Sequence, residues 1–254
     1  MTLSVVIVSY NVREFVSQCL LSLYRSRFDE SLEVILVDNN SSDNTVGTVR
    51  ERYPDAIIIE NQKNRGFAAA VNQGVAASSG QIILLLNPDT IVEENTLRIL
   101  TGYLQANPDV GCVGPKILNS DGSLQQACKR SFPSPWVALT RLMGLSRVFP
   151  GSRLFGRYNL TYLDPDETHR IEAVSGSCMC IPRSVWDTVG NMDDEFFLFG
   201  EDLDYCHRIH QAGFQVVYLP ETHIIHYKGE SVKTAPFDNL RMFHEAMVTF
   251  SRKY

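Results

Sequence analysis

The chain has 254 residues, 44% apolar and 20% charged, with a net charge of −6 and a pI near 5.5. That length holds one large domain or two small ones, with a sizeable core, and the acidic balance excludes a general nucleic-acid binder unless basic residues are segregated. The cysteines (Cys19, Cys112, Cys128, Cys178, Cys180, Cys206) form no Cys-x-x-Cys pair and no zinc-site spacing, so they are expected as buried free thiols of a reducing cytosol.

The N-terminus, Met1 to Val8, lacks the basic lead and small-residue cleavage site of a signal peptide and reads as a strand. Nowhere do 18 apolar residues run together, so no membrane span is expected. From Leu3 to Lys116, short β-branched runs alternate with longer amphipathic stretches, the pattern of a parallel sheet wrapped by helices. The expected strands are Leu3–Ser9, Leu32–Asp38, Ala56–Glu60, Gln81–Leu86 and Val110–Lys116, and the expected helices are Val12–Arg25, Thr45–Arg52, Ala68–Ala77 and Glu93–Gln105. In such sheets ligands sit beyond the carboxyl ends of the strands. Polar residues gather at those ends: Ser9-Tyr10-Asn11, Asp38 to Asp43, and Asn87-Pro88-Asp89. Gly-x-Gly-x-x-Gly and the P-loop are both missing, which excludes the usual dinucleotide and P-loop modes of phosphate binding.

Farther along, Asn119 to Gln125 reads as strand, tight turn and strand, with Asp121-Gly122 as the hairpin signal. Between Lys116 and Tyr158 stand seven basic residues (Lys116, Lys129, Arg130, Arg141, Arg147, Arg153, Arg157) against the single acid Asp121, interleaved with Trp136, Leu139, Leu142, Met143, Leu145, Val148 and Phe149. Two readings stand: an interfacial segment over 134–158 near anionic lipid, or a helix packed on the sheet with solvated arginines. Val174 to Ile181 is expected as a second sheet segment whose small residues, Ser175 and Gly176 among them, admit a ligand close to the backbone.

The aromatic run Phe196 to Phe199 stops at Gly200 and hands over to Glu201, Asp202 and Asp204, which open a helix. Alone, acids in a first turn are ordinary helix chemistry; they are equally a way to hold an ionised base at a pocket edge. Leu203, Cys206, Ile209 and Ala212 are expected to bury one face of that helix, with Asp204 toward solvent. Leu240, Phe243, Met247 and Phe250 predict a last helix over Phe237 to Phe250, for packing or dimerisation.

Taken in order, Val8 to Asn11, Val37 to Asp43, Asn64-Arg65-Gly66-Phe67, Asn87-Pro88-Asp89, Ser175-Gly176-Ser177 and Gly200-Glu201-Asp202 resemble the inverting glycosyltransferases of family 2, and most closely their bacterial rhamnosyltransferase-like branch. The resemblance covers roughly Leu3 to Ser231. It implies a GT-A α/β fold: a Rossmann-like, mostly parallel sheet with flanking helices and a small secondary β-sheet. One domain over 1–254 would comprise a nucleotide-sugar half (about 1–116), an acceptor half (about 117–231) and a C-terminal helix (232–254).

The resemblance also implies roles. Asp38 would accept N3–H of a uracil or thymine ring, a donor that suits a carboxylate. Ser9, Tyr10 and Asn11 would line the base pocket, and Asn64 and Arg65 would meet the base or diphosphate. Asp89 and His226 would hold Mg2+ or Mn2+ shared with substrate phosphates. The family's Asp-x-Asp is here Asn87-x-Asp89, so Asn87 stands where an acid would face the ribose; a deoxyribose donor suits that change. Asp202 would be the general base of an in-line displacement, and Glu201 would hydrogen-bond the acceptor or cap the helix.

The expected reaction is metal-dependent transfer of rhamnose from dTDP-rhamnose to a lipid-linked or cell-surface glycan. A UDP-sugar donor (N-acetylglucosamine, galactose or galactofuranose) and a non-catalytic nucleotide-sugar-binding module are the alternatives. A cytoplasmic protein, peripheral at the plasma membrane through 134–158, with a homodimer as a further possibility and no nucleic-acid partner, completes the expectation.

Overall fold

The computed structural model describes residues 2–134, 136–137, 140, 143–227 and 236–254. Its strands are β1 (Thr2–Ser9), β2 (Ser31–Asp38), β3 (Ile57–Glu60), β4 (Ile82–Leu86), β5 (Thr90–Val92), β6 (Val110–Leu118), β7 (Lys129–Arg130), β8 (His169–Ile171), β9 (Ala173–Val174), β10 (Cys178–Pro182) and β11 (Gln215–His226). Its helices are α1 (Arg13–Tyr24), α2 (Thr45–Arg52), α3 (Phe67–Ala76), α4 (Thr96–Ala106), the single turn α5 (Leu145–Val148), α6 (Arg183–Val189), α7 (Glu201–Gln211) and α8 (Pro236–Lys253). The mainly parallel central sheet runs β3-β2-β1-β4-β10-β6-β11-β5, with β8 on β11, and β7 pairs β9 in a small second sheet.

The hydrophobic patterning accounts for the layers. Every residue of β4 is buried, as a strand covered on both faces requires. On α1, Val16, Cys19, Leu20 and Leu23 recur at one-turn spacing and form the buried stripe. All the cysteines are buried free thiols. Among the described residues no helix is long and apolar enough to cross a membrane.

Several expectations need correction. Val174 to Ile181 is sheet as expected but is split: Val174 ends β9 in the small sheet, whereas Cys178–Pro182 enters the central sheet antiparallel between β4 and β6. The turn Asn119 to Ser123 closes as expected, but only Leu118 and Leu124 pair across it. On α7, Leu203, Cys206 and Ile209 are buried while Ala212 is exposed beyond the helix end, because the stripe drifts off a strict three-residue repeat. Asp204 is fully buried rather than solvated: Arg208 Nε donates to one oxygen at 2.9 Å, and Lys253 Nζ and Tyr254 OH to the other at 2.5 and 2.9 Å. The acid that periodicity points outward is thus the seat of α8.

The basic stretch is less of a surface than its composition suggests. Lys129 is buried and donates to the Leu160 carbonyl at 2.7 Å, Arg130 is buried, and Lys116 pairs with Asp166. Arg141 and the Arg147 side chain lie outside the described residues.

Candidate active site

The strand ends converge through backbone-directed polar contacts. Ser9 closes β1 opposite Asp38 on β2. Ser9 Oγ and Ser41 Oγ donate to Asp38 Oδ1 at 2.8 and 2.6 Å, and Ser41 N donates to Oδ2 at 2.7 Å. Asp38 is buried with these three bonds, leaving lone-pair capacity for about one more donor. Asn11 ties the first loop to the second, its Oδ1 accepting Ser42 N at 2.7 Å, while Tyr10 is exposed beside it.

Asn39 is buried, and its Nδ2 donates to Gly66 O at 3.1 Å, joining the third loop to the second. Asn64 Oδ1 accepts Gly66 N at 2.9 Å, a local turn that leaves Arg65 exposed. Gly66 has φ +83° and ψ 171°, a region open essentially only to glycine. Its neighbour Phe67 donates N–H to Phe197 O at 2.8 Å, so this loop rests directly on the turn that precedes α7.

That turn is unusual: Phe199 (φ +71°) and Gly200 (φ +82°) are both left-handed, which delivers Glu201 and Asp202 inward. Asp202 Oδ2 accepts Gly176 N at 2.8 Å and Arg130 Nη2 at 2.5 Å, and Oδ1 accepts Leu203 N at 2.8 Å. Arg130 also donates to Val174 O at 2.6 Å, and it reaches this position because β7 pairs with β9. Burial works against the guanidinium charge, but the Asp202 carboxylate, its hydrogen bond and the nearby Tyr158 together push the Arg130 pKa up. Beside it, Glu201 Oε2 is buried without a hydrogen-bond partner. Burial first, and the Asp202 charge second, push the Glu201 carboxyl up to about 8.

At the end of β4, Asn87 N donates to Ser177 O at 2.9 Å, so the Ser175 to Ser177 turn touches both Asn87 and Asp202. Asp89 is 3% exposed and its Oδ1 has no hydrogen-bond partner. His226, the last residue of β11, has its Nε2 3.2 Å from that oxygen, and Asn87 Nδ2 lies 3.4 Å from the same nitrogen. A buried carboxylate oxygen without a donor, facing an imidazole nitrogen, fits a divalent cation that takes its remaining ligands elsewhere. Among the described residues no group of three or more His, Cys, Asp or Glu converges.

The structure therefore gathers the predicted residues into three linked groups: Ser9, Asn11 and Asp38; Asn87, Asp89 and His226; and Gly176, Glu201 and Asp202. Asn64 joins through Gly66, and Ser175 through its Oγ contact with Ser177 at 2.9 Å. Arg65 and Tyr10 stand exposed at the rim. Two contributors escape sequence reasoning, Arg130 on Asp202 and Gln125 on His226. Arg130 is counted there only as part of a basic stretch, and Gln125 as a turn residue.

The mixed α/β fold is shared with solved glycosyltransferases. Among solved structures, GalNAc-T7 with UDP, GalNAc and Mn2+ is similar over 89% of this chain and 44% of that one (TM-score 0.65, 18% identity). The mannosyltransferase PcManGT from Pyrobaculum calidifontis, in complex with GDP-Man and Mn2+, is similar over 94% and 59% (TM-score 0.63, 19% identity). The chain thus spans less than two thirds of either solved protein. Residues 4–174 match the family described as "Glycosyl transferase family 2", and the chain belongs to that family. It is a glycosyltransferase. It is 28% identical to an N-acetylglucosaminyl-diphospho-decaprenol L-rhamnosyltransferase of Mycobacterium tuberculosis (strain ATCC 25618 / H37Rv), over 98% of this chain and 83% of that protein.

Proposed function

We propose that this chain transfers a sugar with inversion from a pyrimidine nucleoside diphosphate, with dTDP-rhamnose as the donor, to a hydroxyl of a lipid-linked or cell-surface glycan. The observation that supports this most is the buried Asp89 Oδ1 facing His226 Nε2 at 3.2 Å, near a turn shared with Asp202. Asp89 and His226 would hold Mg2+ or Mn2+; bound there, the cation supplies positive charge to the departing diphosphate. Asp38, with one acceptor position left, would take a base N–H, with Ser9, Tyr10, Asn11, Asn64 and Arg65 around it. The halves about 1–116 and 117–231 would then contribute donor and acceptor contacts respectively.

The proton of the acceptor hydroxyl goes to Asp202. Its Oδ2 already accepts two donors, Gly176 N and Arg130, whereas Oδ1 accepts only Leu203 N, so Oδ1 is the atom with a lone pair to offer. Arg130 Nη2 faces that carboxylate from 2.5 Å and leaves Oδ1 to the acceptor. One acid suffices because the diphosphate leaves without protonation by the protein, unlike the leaving group of a glycosidase. A second reading assigns the base to Glu201, whose unpartnered oxygen and raised pKa of about 8 suit proton uptake near neutrality.

Transfer assays on Asp202→Asn and Glu201→Gln separate the two. Loss of a general base costs about 10²- to 10⁴-fold in rate. Undiminished transfer by Asp202→Asn overturns the assignment, and a loss confined to Glu201→Gln establishes the second reading. A thermal-shift screen of dTDP, UDP, GDP and their sugars with Mn2+ addresses the donor, since ligands of the native state raise its stability. Failure of every pyrimidine nucleotide to stabilise the chain refutes the donor class, and a UDP-sugar outperforming dTDP-rhamnose replaces the donor.

For the acceptor, the exposed Trp136, Met143, Val148, Phe149 and Leu154 of the 134–158 segment support peripheral contact with the cytoplasmic membrane face. Absence of flotation with anionic vesicles refutes that contact.

A further inference from the structure

Gln125 is 6% exposed and sits at the foot of the Asn119–Ser123 turn, its N–H bonded to Ile117 O at 2.8 Å. From there its side chain meets His226 at two points. Nε2 donates to the His226 carbonyl at 2.9 Å, and Oε1 lies 3.0 Å from His226 Nδ1.

The chemistry of the amide leaves one assignment. A carbonyl only accepts, so the NH2 end of Gln125 must face it, and Oε1 must face the ring. Oε1 likewise only accepts, so Nδ1 carries a hydrogen. A neutral imidazole has one N–H, which leaves a lone pair on Nε2. Asn87 Nδ2, a donor 3.4 Å from Nε2, suits the same tautomer from an independent direction. That lone pair meets Asn87 Nδ2, and Asp89 Oδ1, itself without a donor, lies 3.2 Å from the same nitrogen, so a cation arriving between them takes the lone pair over from Asn87. In the opposite tautomer Nε2 would carry the hydrogen and have no lone pair to offer a cation beside Asp89.

We propose that Gln125 is a positioning residue for the cation: it holds His226 in the Nδ1–H tautomer and thereby keeps a lone pair, not a hydrogen, on Nε2 beside Asp89 Oδ1. The inference rests on the reading of Asp89 and His226 as cation ligands. Gln125 touches neither the cation nor the reacting atoms, and it acts through the ring it orients.

The test is a Mn2+ titration in the presence of dTDP or UDP, following the electron paramagnetic resonance of free Mn2+, with wild type, Gln125→Met, His226→Ala and Asp89→Asn. Loss of an outer-shell partner weakens a metal site about 10- to 100-fold, and Gln125→Met is expected in that range. His226→Ala is expected to lose at least as much. Gln125→Met binding Mn2+ as wild type does, while His226→Ala is weakened, overturns the role of Gln125 and leaves the cation site standing. Mn2+ binding unaffected by both His226→Ala and Asp89→Asn overturns the cation site, and the role of Gln125 with it. A readout on the unaltered protein removes any dependence on variant folding. Long-range 1H–15N correlation of 15N-histidine-labelled wild type is expected to place the neutral-ring hydrogen of His226 on Nδ1; a hydrogen on Nε2 overturns the proposal.

Discussion

Replacing Arg130 with methionine keeps a long unbranched side chain and removes the charge that faces Asp202. In wild type the two side chains are 10% and 12% exposed, so little water is at hand to solvate Asp202 once its partner is gone. Two backbone donors remain, Gly176 N and Leu203 N, but the guanidinium also served Val174 O, which loses its side-chain donor as well. Breaking a buried pair from one side costs about 3–5 kcal/mol. For a chain of this size that corresponds to a melting temperature lower by roughly 6–20 °C. The control is Arg50→Met, which breaks an ion pair with Glu60 whose side chains are 61% and 48% exposed. Exposed pairs contribute about 0.2–1 kcal/mol, so that variant should melt within about 4 °C of wild type. Urea unfolding of the three proteins at one pH measures the difference. If Arg130→Met loses no more stability than Arg50→Met, the pair is not the buried clamp described above.

Glu201→Gln should act on the pH dependence of stability. Burial raises the Glu201 carboxyl from 4.5 to about 8, so between those values the folded chain holds a proton that the unfolded chain has released. Stability present at low pH is therefore lost as pH rises toward the folded pKa, by an amount on the order of several kcal/mol. The glutamine variant lacks that loss, so its advantage over wild type in urea unfolding should grow between about pH 5 and about pH 9; a constant difference sinks the argument. Gly66→Ala sets a methyl 2.7 Å from Phe197 O in a backbone region that alanine avoids. A loss of about 1–3 kcal/mol is expected, together with weaker nucleotide binding in a thermal-shift titration. An alanine variant as stable as wild type would show that the loop and the Phe197 turn are not tightly joined.

The parallel strands and their polar ends were legible because a buried strand announces itself by continuous β-branched residues, and because ligand-facing residues must follow directly on its last apolar position. Asp38 and Asp89 were found in that way, and Asp202 and His226 through motif order. What stayed hidden depends on partners distant in sequence. Gln125 meets His226 across 101 residues and Arg130 meets Asp202 across 72, with no periodicity to mark either. Asp204 was misplaced for a related reason: besides Arg208 one turn on, its burial depends on Lys253 and Tyr254, which arrive from the far end of the chain. The short β5 was missed because three residues are too few for an alternation to show.

The position of β10 bears on how the protein is made. The β4 edge is complete at Leu86, yet the strand that covers it ends at Pro182. At ~5–20 residues per second the ribosome takes roughly 5–20 s to deliver that cover. Meanwhile a fully apolar strand waits with its backbone donors and acceptors open, the kind of edge that recruits other chains. Growth temperature and chaperone supply should therefore govern soluble yield through this interval, whatever the stability of the finished fold.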